Sequence, residues 1–321
     1  MGKKSLWVRL IACITPKNII NDIARQDSSL HLLTDEERAK LQKCLLGITV
    51  DVDLVCRKHG LKLFVVGGSA LGALRHSGFI PWDDDMDFGM SREDYRKLIS
   101  VFEQELGDRY MLRCPNSPHP NGNRFMQIFK SGTVLKTAGG HTPQQPDCVY
   151  IDIFPYDYAP KDRFRQKVKG HWSNLLMLIA SCVNSYTYRD TQQSTFLKQT
   201  GRGKLLYGTR TVIGALCSFY TPARWFDIVD RTIADETPSD YVTSATGRKH
   251  YLGEMFPAKV FFPLQEVDFE NLKLYAPHNL DTYLRGLYGD DYMTPPPPNK
   301  RESHFIAMLQ TEDDGGQEGI N

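Results

Sequence analysis

No Cys-x-x-Cys pair occurs anywhere in the 321 residues, and no apolar run approaches the length needed to cross a bilayer. The seven cysteines (Cys13, Cys44, Cys56, Cys114, Cys148, Cys182 and Cys217) are odd in number and scattered. That usage argues against a disulfide framework or a structural zinc site, and for reduced, mostly buried thiols in a cytoplasm. Charge of one sign is missing too: 39 Lys and Arg against 38 Asp and Glu leave a net charge of +1. The basic excess of a general nucleic-acid binder is therefore absent, and no nucleic-acid partner is expected. There is no internal repeat. The opening stretch MGKKSLWVRLIACITP begins basic and turns apolar, but Arg9 interrupts it and no small-residue cleavage site follows. A secretory leader is not expected, and Leu6 breaks the myristoylation pattern.

Two short apolar stretches remain, LLMLIASCV at 175–183 and TVIGALCSFY at 211–220. Both fall well short of the roughly 20 residues that span a bilayer. They read as buried core helices in preference to segments dipping into a monolayer. The expected location is cytoplasmic, with peripheral contact at the inner face of the membrane left open.

What the chain does contain is a dense signal near residue 70. Thr34-Asp-Glu-Glu37 is a capping box, followed by apolar positions Leu41, Leu45, Ile48, Val52 and Val55 on one helical face. Gly60 then suits a left-handed helix end, and LKLFVV (61–66) reads as a strand. Gly67, Gly68 and Ser69 close that strand and open a helix. Four aspartates in five positions follow (Asp83, Asp84, Asp85, Asp87), running into a short strand, MDFGM. Ser91 and Asp94 cap a helix reaching Glu105. RFMQIFK and TVLKT flank Ser131-Gly132 as a hairpin, and VYIDI (149–153) is a further strand carrying Asp152. The fold class expected is α+β: a small mixed sheet flanked by helices, with a mainly helical second half. The expected divisions are an N-terminal extension (1–33), a catalytic core (34–160), a helical region with a returning C-terminal segment (161–305) and a disordered tail (306–321).

On a strand, residues two apart share a face, so Asp85 and Asp87 are expected to present both carboxylates together. Asp152 from a neighbouring strand completes a cage of oxygen ligands, which suits Mg²⁺ or Mn²⁺. Gly67 and Gly68 let the backbone approach a phosphate, and their N–H groups with Ser69 form an anion nest at a helix start. Arg75 adds charge to the same phosphates. Singly, a Gly-Gly-Ser is an ordinary turn and D-x-D an acidic or calcium loop. In this order the parts have the layout of a nucleotidyltransferase fold, an anion grip beside a cation cage.

The string VVGGSALGALRHSGFIPWDDDMDFGM closely resembles the core motif of the LicD family of phosphotransferases, which includes the fukutin branch. KHGL upstream, YIDIFPYD at 150–157, FFPLQEVDFENLKLYAP at 261–277 and YLRGLYGDDYMTPPP at 283–297 continue the resemblance, with Lys300, Arg301 and His304. It spans most of residues 35–305 in family order, leaving the helical middle poorly matched. The resemblance implies transfer of a phospho-substituted group, phosphocholine-like or an alditol phosphate, from a CDP-linked donor such as CDP-choline to a glycan hydroxyl. Lipopolysaccharide, capsule polysaccharide or a lipid-linked precursor are the acceptors implied. Matching positions are Gly67, Gly68, Ser69 and Arg75 for nucleotide and phosphate, and Asp85, Asp87 and Asp152 for metal and catalysis. Trp82, Asp83 and Asp84 match as well and are assigned to shaping the loop. Two departures stand out: Ser69 replaces the more usual Thr, and Gln127 stands where relatives often carry Lys.

The mechanism expected is in-line displacement at phosphorus, with Asp152 as a metal ligand and general base. Two alternatives are kept: a nucleotidyltransferase that moves the nucleoside monophosphate itself, and a non-catalytic metal- or glycan-binding module.

Overall fold

The computed structural model describes residues 29–120, 122–138, 145–188, 192–298, 301 and 304–311. The expected capping box is formed at Thr34. Its hydroxyl accepts from the Glu37 N–H at 3.2 Å, and Glu37 accepts from the Thr34 N–H at 2.9 Å. After the two-residue strand β1 (His31–Leu32), it starts α1 (Asp35–Lys58), whose buried face includes Leu41, Leu45, Ile48, Val52 and Val55, as the periodicity requires. Gly60 takes φ +70° and releases the chain into the sheet. Of the stretch 61–66 only β2 (Phe64–Val65) joins the ladder, and α2 (Gly67–His76) follows at once. Next come β3 (Asp87–Ser91) and α3 (Arg92–Leu106), with the Ser91 hydroxyl accepting from Asp94 N–H at 3.2 Å.

Strands β4 (Tyr110–Arg113), β5 (Met126–Lys130), β6 (Val134–Thr137) and β7 (Tyr150–Ala159) come next. Helices α4 (Arg163–Thr187), α5 (Gln192–Leu197), α6 (Gly201–Leu216) and α7 (Pro222–Ile233) form the helical arm. The chain then returns through β8 (Tyr241–Thr243), β9 (Met255–Pro257), β10 (Gln265–Phe269) and β11 (Leu272–Ala276), with single helical turns at His250–Gly253 and Ala258–Phe261. It ends in α8 (Leu280–Tyr288) and β12 (Phe305–Gln310).

The main sheet runs β10-β11-β2-β3-β7-β5-β4, with β8 and β9 continuing from β7. It is mixed: β3 lies antiparallel to β2 and parallel to β7. The expected union of strands from 61–66, 85–90 and 149–153 in one mixed sheet is therefore found. Residues 241–276, assigned from sequence to the second region, also add strands to it. The Ser131-Gly132 turn forms, with Gly132 at φ +80°, but β5 and β6 do not pair as a hairpin. Both edges of β5 are taken by β4 and β7, and Thr133 turns the chain away by donating to Lys130 O and accepting from Val149 N–H. Strand β6 joins a second sheet, β1-β12-β6. The tail expected to be disordered from 306 thus begins as part of a strand with two partners, and residues 312–321 lie outside the described residues.

The main core surrounds the main sheet; one satellite packs Leu176, Met177, Ala180 and Val183 of α4 against Trp225, Phe226 and Val229 of α7, and another joins Ala159, Ile233, Ala245 and Tyr251. The stretch 175–183 is thus core, as expected. The stretch 211–220 is not: Val212, Leu216, Phe219 and Tyr220 are exposed, because α6 faces the arm only through residues such as Leu206, Arg210 and Gly214. Arm and sheet meet at a buried ion network. Arg92 binds both oxygens of Asp157 on β7 at 2.8 and 2.7 Å and Asp230 on α7 at 2.6 Å. Asp157 is accordingly structural. Among the described residues, no helix is long and apolar enough to cross a membrane, and six cysteines, all but Cys13, are free thiols.

Candidate active site

Helix α2 starts with no side-chain cap: its N-cap is Val66, and its first turn carries no acidic residue. Its positive end therefore faces anionic groups with no side-chain cap of its own between. Gly67 adopts φ +53°, which favours glycine. A Cβ there would sit 3.1 Å from Asp87 Oδ2, and one at Gly68 would sit 3.0 Å from Asp83 Oδ2. The two glycines therefore let carboxylates close directly against the helix start. The Gly67 N–H donates to the Tyr283 hydroxyl at 3.0 Å. Ser69 is buried, and its hydroxyl accepts from the Asp87 N–H at 2.9 Å. It pins β3 to α2 rather than facing the cleft, a structural duty the sequence reading did not foresee.

Strand β3 begins at Asp87, and residues 83–86 are irregular. The alternation argument that put Asp85 and Asp87 on one strand face does not apply, because Asp85 lies outside the ladder. Asp87 does pair in register with Asp152 across parallel β3 and β7, so those two share a face. The tightest grouping is a different one. Ligand atoms of Asp84, Asp85 and His304 all lie within 4.8 Å of one another. Among the described residues this is the trio that meets that spacing, and it shares only Asp85 with the expected one. The His304 N–H donates to Asp84 Oδ2 at 2.9 Å, and its ring Nδ1 pairs with Asp84 Oδ1 at 2.8 Å. This group can hold a metal ion. Asp84, read from sequence as a loop former, belongs to it.

Electrostatics show how overloaded the site is. Burial, then the charges of Asp85, Asp152, Asp83 and Glu254, push the Asp87 carboxyl well above the usual range. Burial lifts Asp152 to about 7, against the hydrogen bond from Gln127 Nε2 at 3.0 Å. Gln127 in turn accepts from Gln145 at 2.6 Å, so the departure noted in the sequence backs the third aspartate with a neutral amide. Asp84 goes the other way: burial raises it, but the His304 bonds outweigh that and hold it below the ordinary value. Such a cluster needs protons or a cation to offset its charge.

The cleft in front has a volume of about 580 Å³. Gly67, Gly68, Arg75, Asp85 and Asp87 line it, as do Asp83, Asp84 and His304. Asp152 stands behind Asp87 on the next strand. Arg75 donates to the Tyr292 carbonyl at 3.2 Å and lies 5.7 Å from the Trp82 ring centre, over which Arg301 stacks at 4.0 Å. Lys300 lies outside the described residues. Two wall residues had no place in the sequence reading, Glu254 and Arg248, and Tyr283 entered it only inside a family string, with no role. Glu254 is buried, and burial raises it to about 7 despite the Lys249 N–H and nearby cations. Its signal was a lone acid in the apolar context YLGEMFP.

A glycine-opened helix is set against acids on the adjoining strand, and residues 60–177, which hold both, match the family model described as LicD/FKTN/FKRP, nucleotidyltransferase domain. The chain carries a LicD family domain. It is 26% identical over 257 residues to the lipopolysaccharide cholinephosphotransferase LicD of Haemophilus influenzae, covering 78% of this chain and 89% of that protein. Shorter matches join it to uncharacterized proteins of Rickettsia typhi (37% over 88 residues, 26% of this chain and 28% of that one) and Rickettsia prowazekii (39% over 63 residues, 19% and 24%).

Proposed function

We propose that the protein is a metal-dependent phosphotransferase of the cytoplasm. It moves a phospho-substituted group, phosphocholine foremost, from a CDP-linked donor to a hydroxyl of a cell-surface glycan such as lipopolysaccharide or its precursor. The observation that carries this reading is the uncapped, glycine-opened start of α2 facing the acids around Asp85 and Asp87 across one cleft. The H. influenzae relative, matched along most of both chains, supplies the phosphocholine class.

The acids fit a divalent ion on their own chemistry. Carboxylates with a single imidazole suit Mg²⁺ or Mn²⁺, and a divalent ion would relieve the repulsion that Asp85, Asp152 and Asp83 exert on Asp87. Asp84, Asp85 and His304 would hold one ion, and Asp87 with Asp152 would serve the same or a second. Such ions, when bound, stabilise charge on the transferring phosphoryl group and the departing nucleotide. Gly67, Gly68 and the end of α2 would hold donor phosphate once a cation draws the Asp83 and Asp87 carboxylates from the helix start, with Arg75 adding a fixed positive charge beside it. Asp152, the general base expected from the sequence, would act from behind Asp87, its register partner on the next strand. The experiment is incubation with a panel of CDP-linked donors and Mg²⁺ or Mn²⁺, following CMP. CMP release that needs the metal and one donor is expected. Pyrophosphate in place of CMP would make the enzyme a nucleotidyltransferase, and binding of donor or glycan without turnover would make it a binding module.

A further inference from the structure

The helical arm has a surface that the catalytic reading does not use. Phe164, Val168 and Trp172 follow one another at intervals of four along α4, and they are 74%, 52% and 53% exposed. Residues at that spacing form one stripe of a helix. On α6, Leu205 (74%), Val212 (60%) and Leu216 (75%) are also exposed. The two helices pack against each other: Arg210 donates to the Ser181 and Ser185 hydroxyls at 2.7 Å, and a Cβ on Gly214 would meet the Cys182 carbonyl and Tyr186. Where they meet, the two helices use small and polar side chains, and both also turn large apolar side chains to solvent. Large apolar side chains exposed in a stripe, as along α4, mark an interaction site.

Charge says which kind. Residues 163–226 contain ten Lys and Arg and a single acid, Asp190. The segment carries +9 in a chain of net +1, so all remaining residues together carry −8. Arg163, Arg165 and Lys167 flank the α4 stripe, and Arg202 and Lys204 flank Leu205; all five are exposed. Apolar and aromatic side chains interleaved with Lys and Arg on an exposed helix are the signature of an interfacial helix. Its apolar face enters the headgroup–acyl boundary, and its cations meet anionic lipid. A protein partner of matching chemistry would have to be acidic and apolar at once; an anionic bilayer has both properties everywhere on its surface.

We infer that the face formed by α4 and α6 docks the protein on the surface of an anionic membrane, as a peripheral contact with no spanning segment. This stands apart from the phosphotransfer reading, since none of these residues lines the cleft.

The test uses the full chain and vesicles of phosphatidylglycerol with phosphatidylcholine, or of phosphatidylcholine alone. Co-sedimentation should favour the anionic vesicles by at least about tenfold and weaken at high salt. Phe164→Ser with Trp172→Ser should lower binding by at least about tenfold while the thermal midpoint and metal-dependent CMP release in solution stay unchanged. Arg165→Glu with Lys167→Glu, which leaves every apolar contact in place, should do the same and remove the salt dependence. This second pair keeps the question answerable if the first folds poorly. Equal partition onto neutral vesicles would overturn the proposal, as would wild-type binding in both variants, which would place the contact elsewhere in the chain. So would a dimer, seen by sedimentation equilibrium, that the serine variants abolish while vesicles are ignored; the face would then meet a second copy.

Discussion

The sheet region and the helical arm carry opposite charge and put it in opposite places. Around β2, β3 and β7 the acids are gathered inward, where Asp83, Asp84, Asp85, Asp87 and Glu254 share one cleft. Along α4 and α6 the cations are spread outward beside exposed apolar side chains. Like charges driven together against burial imply a small, highly charged ligand between them. Like charges spread over an open face imply an extended surface of opposite sign. The two meet at Arg92, where Asp157 from the sheet and Asp230 from the arm neutralise a buried guanidinium.

That joint is where the comparison breaks most easily. Arg92→Leu leaves Asp157 buried without its partner, and losing one side of a buried pair costs about 3–5 kcal/mol. Urea unfolding should show that loss, with arm and sheet no longer melting together; a cost below about 1 kcal/mol would mean the two regions are held by apolar packing alone. Next in size is Asp87→Asn. Turnover should fall at least about a hundredfold through lost charge stabilisation at phosphorus. Stability without metal should hold or rise, since one of several repelling carboxylates is gone. CMP release at the normal rate would refute the metal-site mechanism.

A smaller effect lies in pH. The folded state raises Asp152 from its ordinary 3.8 to about 7, so it binds that proton more tightly than the unfolded chain does. The stability Asp152 contributes is therefore complete below about pH 4 and is lost as pH rises through about 7. In chelator, the thermal midpoint of the wild type should drop more steeply between about pH 5 and 8 than that of Asp152→Asn, and added Mg²⁺ should flatten the slope. Identical slopes would remove Asp152 from the set of groups that titrate on folding. Smallest is Ser69→Ala, expected to cost about 1 kcal/mol of stability through the bond to the Asp87 N–H. A change confined to donor affinity, with stability intact, would show that the hydroxyl serves the ligand instead.

How much of this was legible follows the range of the forces involved. The Thr34 and Ser91 caps, the buried stripe of α1 and the strand carrying Asp152 are local or periodic, and they were readable. So was the convergence of Asp87 and Asp152, since neighbouring strands with lone acids among apolar residues have few other ways to bury. The β5–β6 turn was read correctly as a turn and wrongly as a hairpin, because strand partners are chosen by the whole sheet. The exposure of 211–220 escaped because hydropathy counts apolar residues without knowing whether another element covers them. The Asp84–His304 pairing was hidden by a sequence separation of 220. Glu254 was hidden in a stretch whose helical average concealed one buried acid.

His304 has a consequence in time as well as in space. It reaches Asp84 because β12, just after it, is held between β1 and β6. On a ribosome the glycines, the four aspartates and the whole main sheet are made before that strand exists. A nascent chain can therefore form the sheet side of the cleft early, but it lacks the wall from Tyr283 onward and one member of the Asp84–Asp85–His304 group until residue 304 has cleared the exit tunnel. A finished chain clipped ahead of Phe305 returns part of the way to that state, with the cleft in place and the final strand no longer there to hold His304 against it.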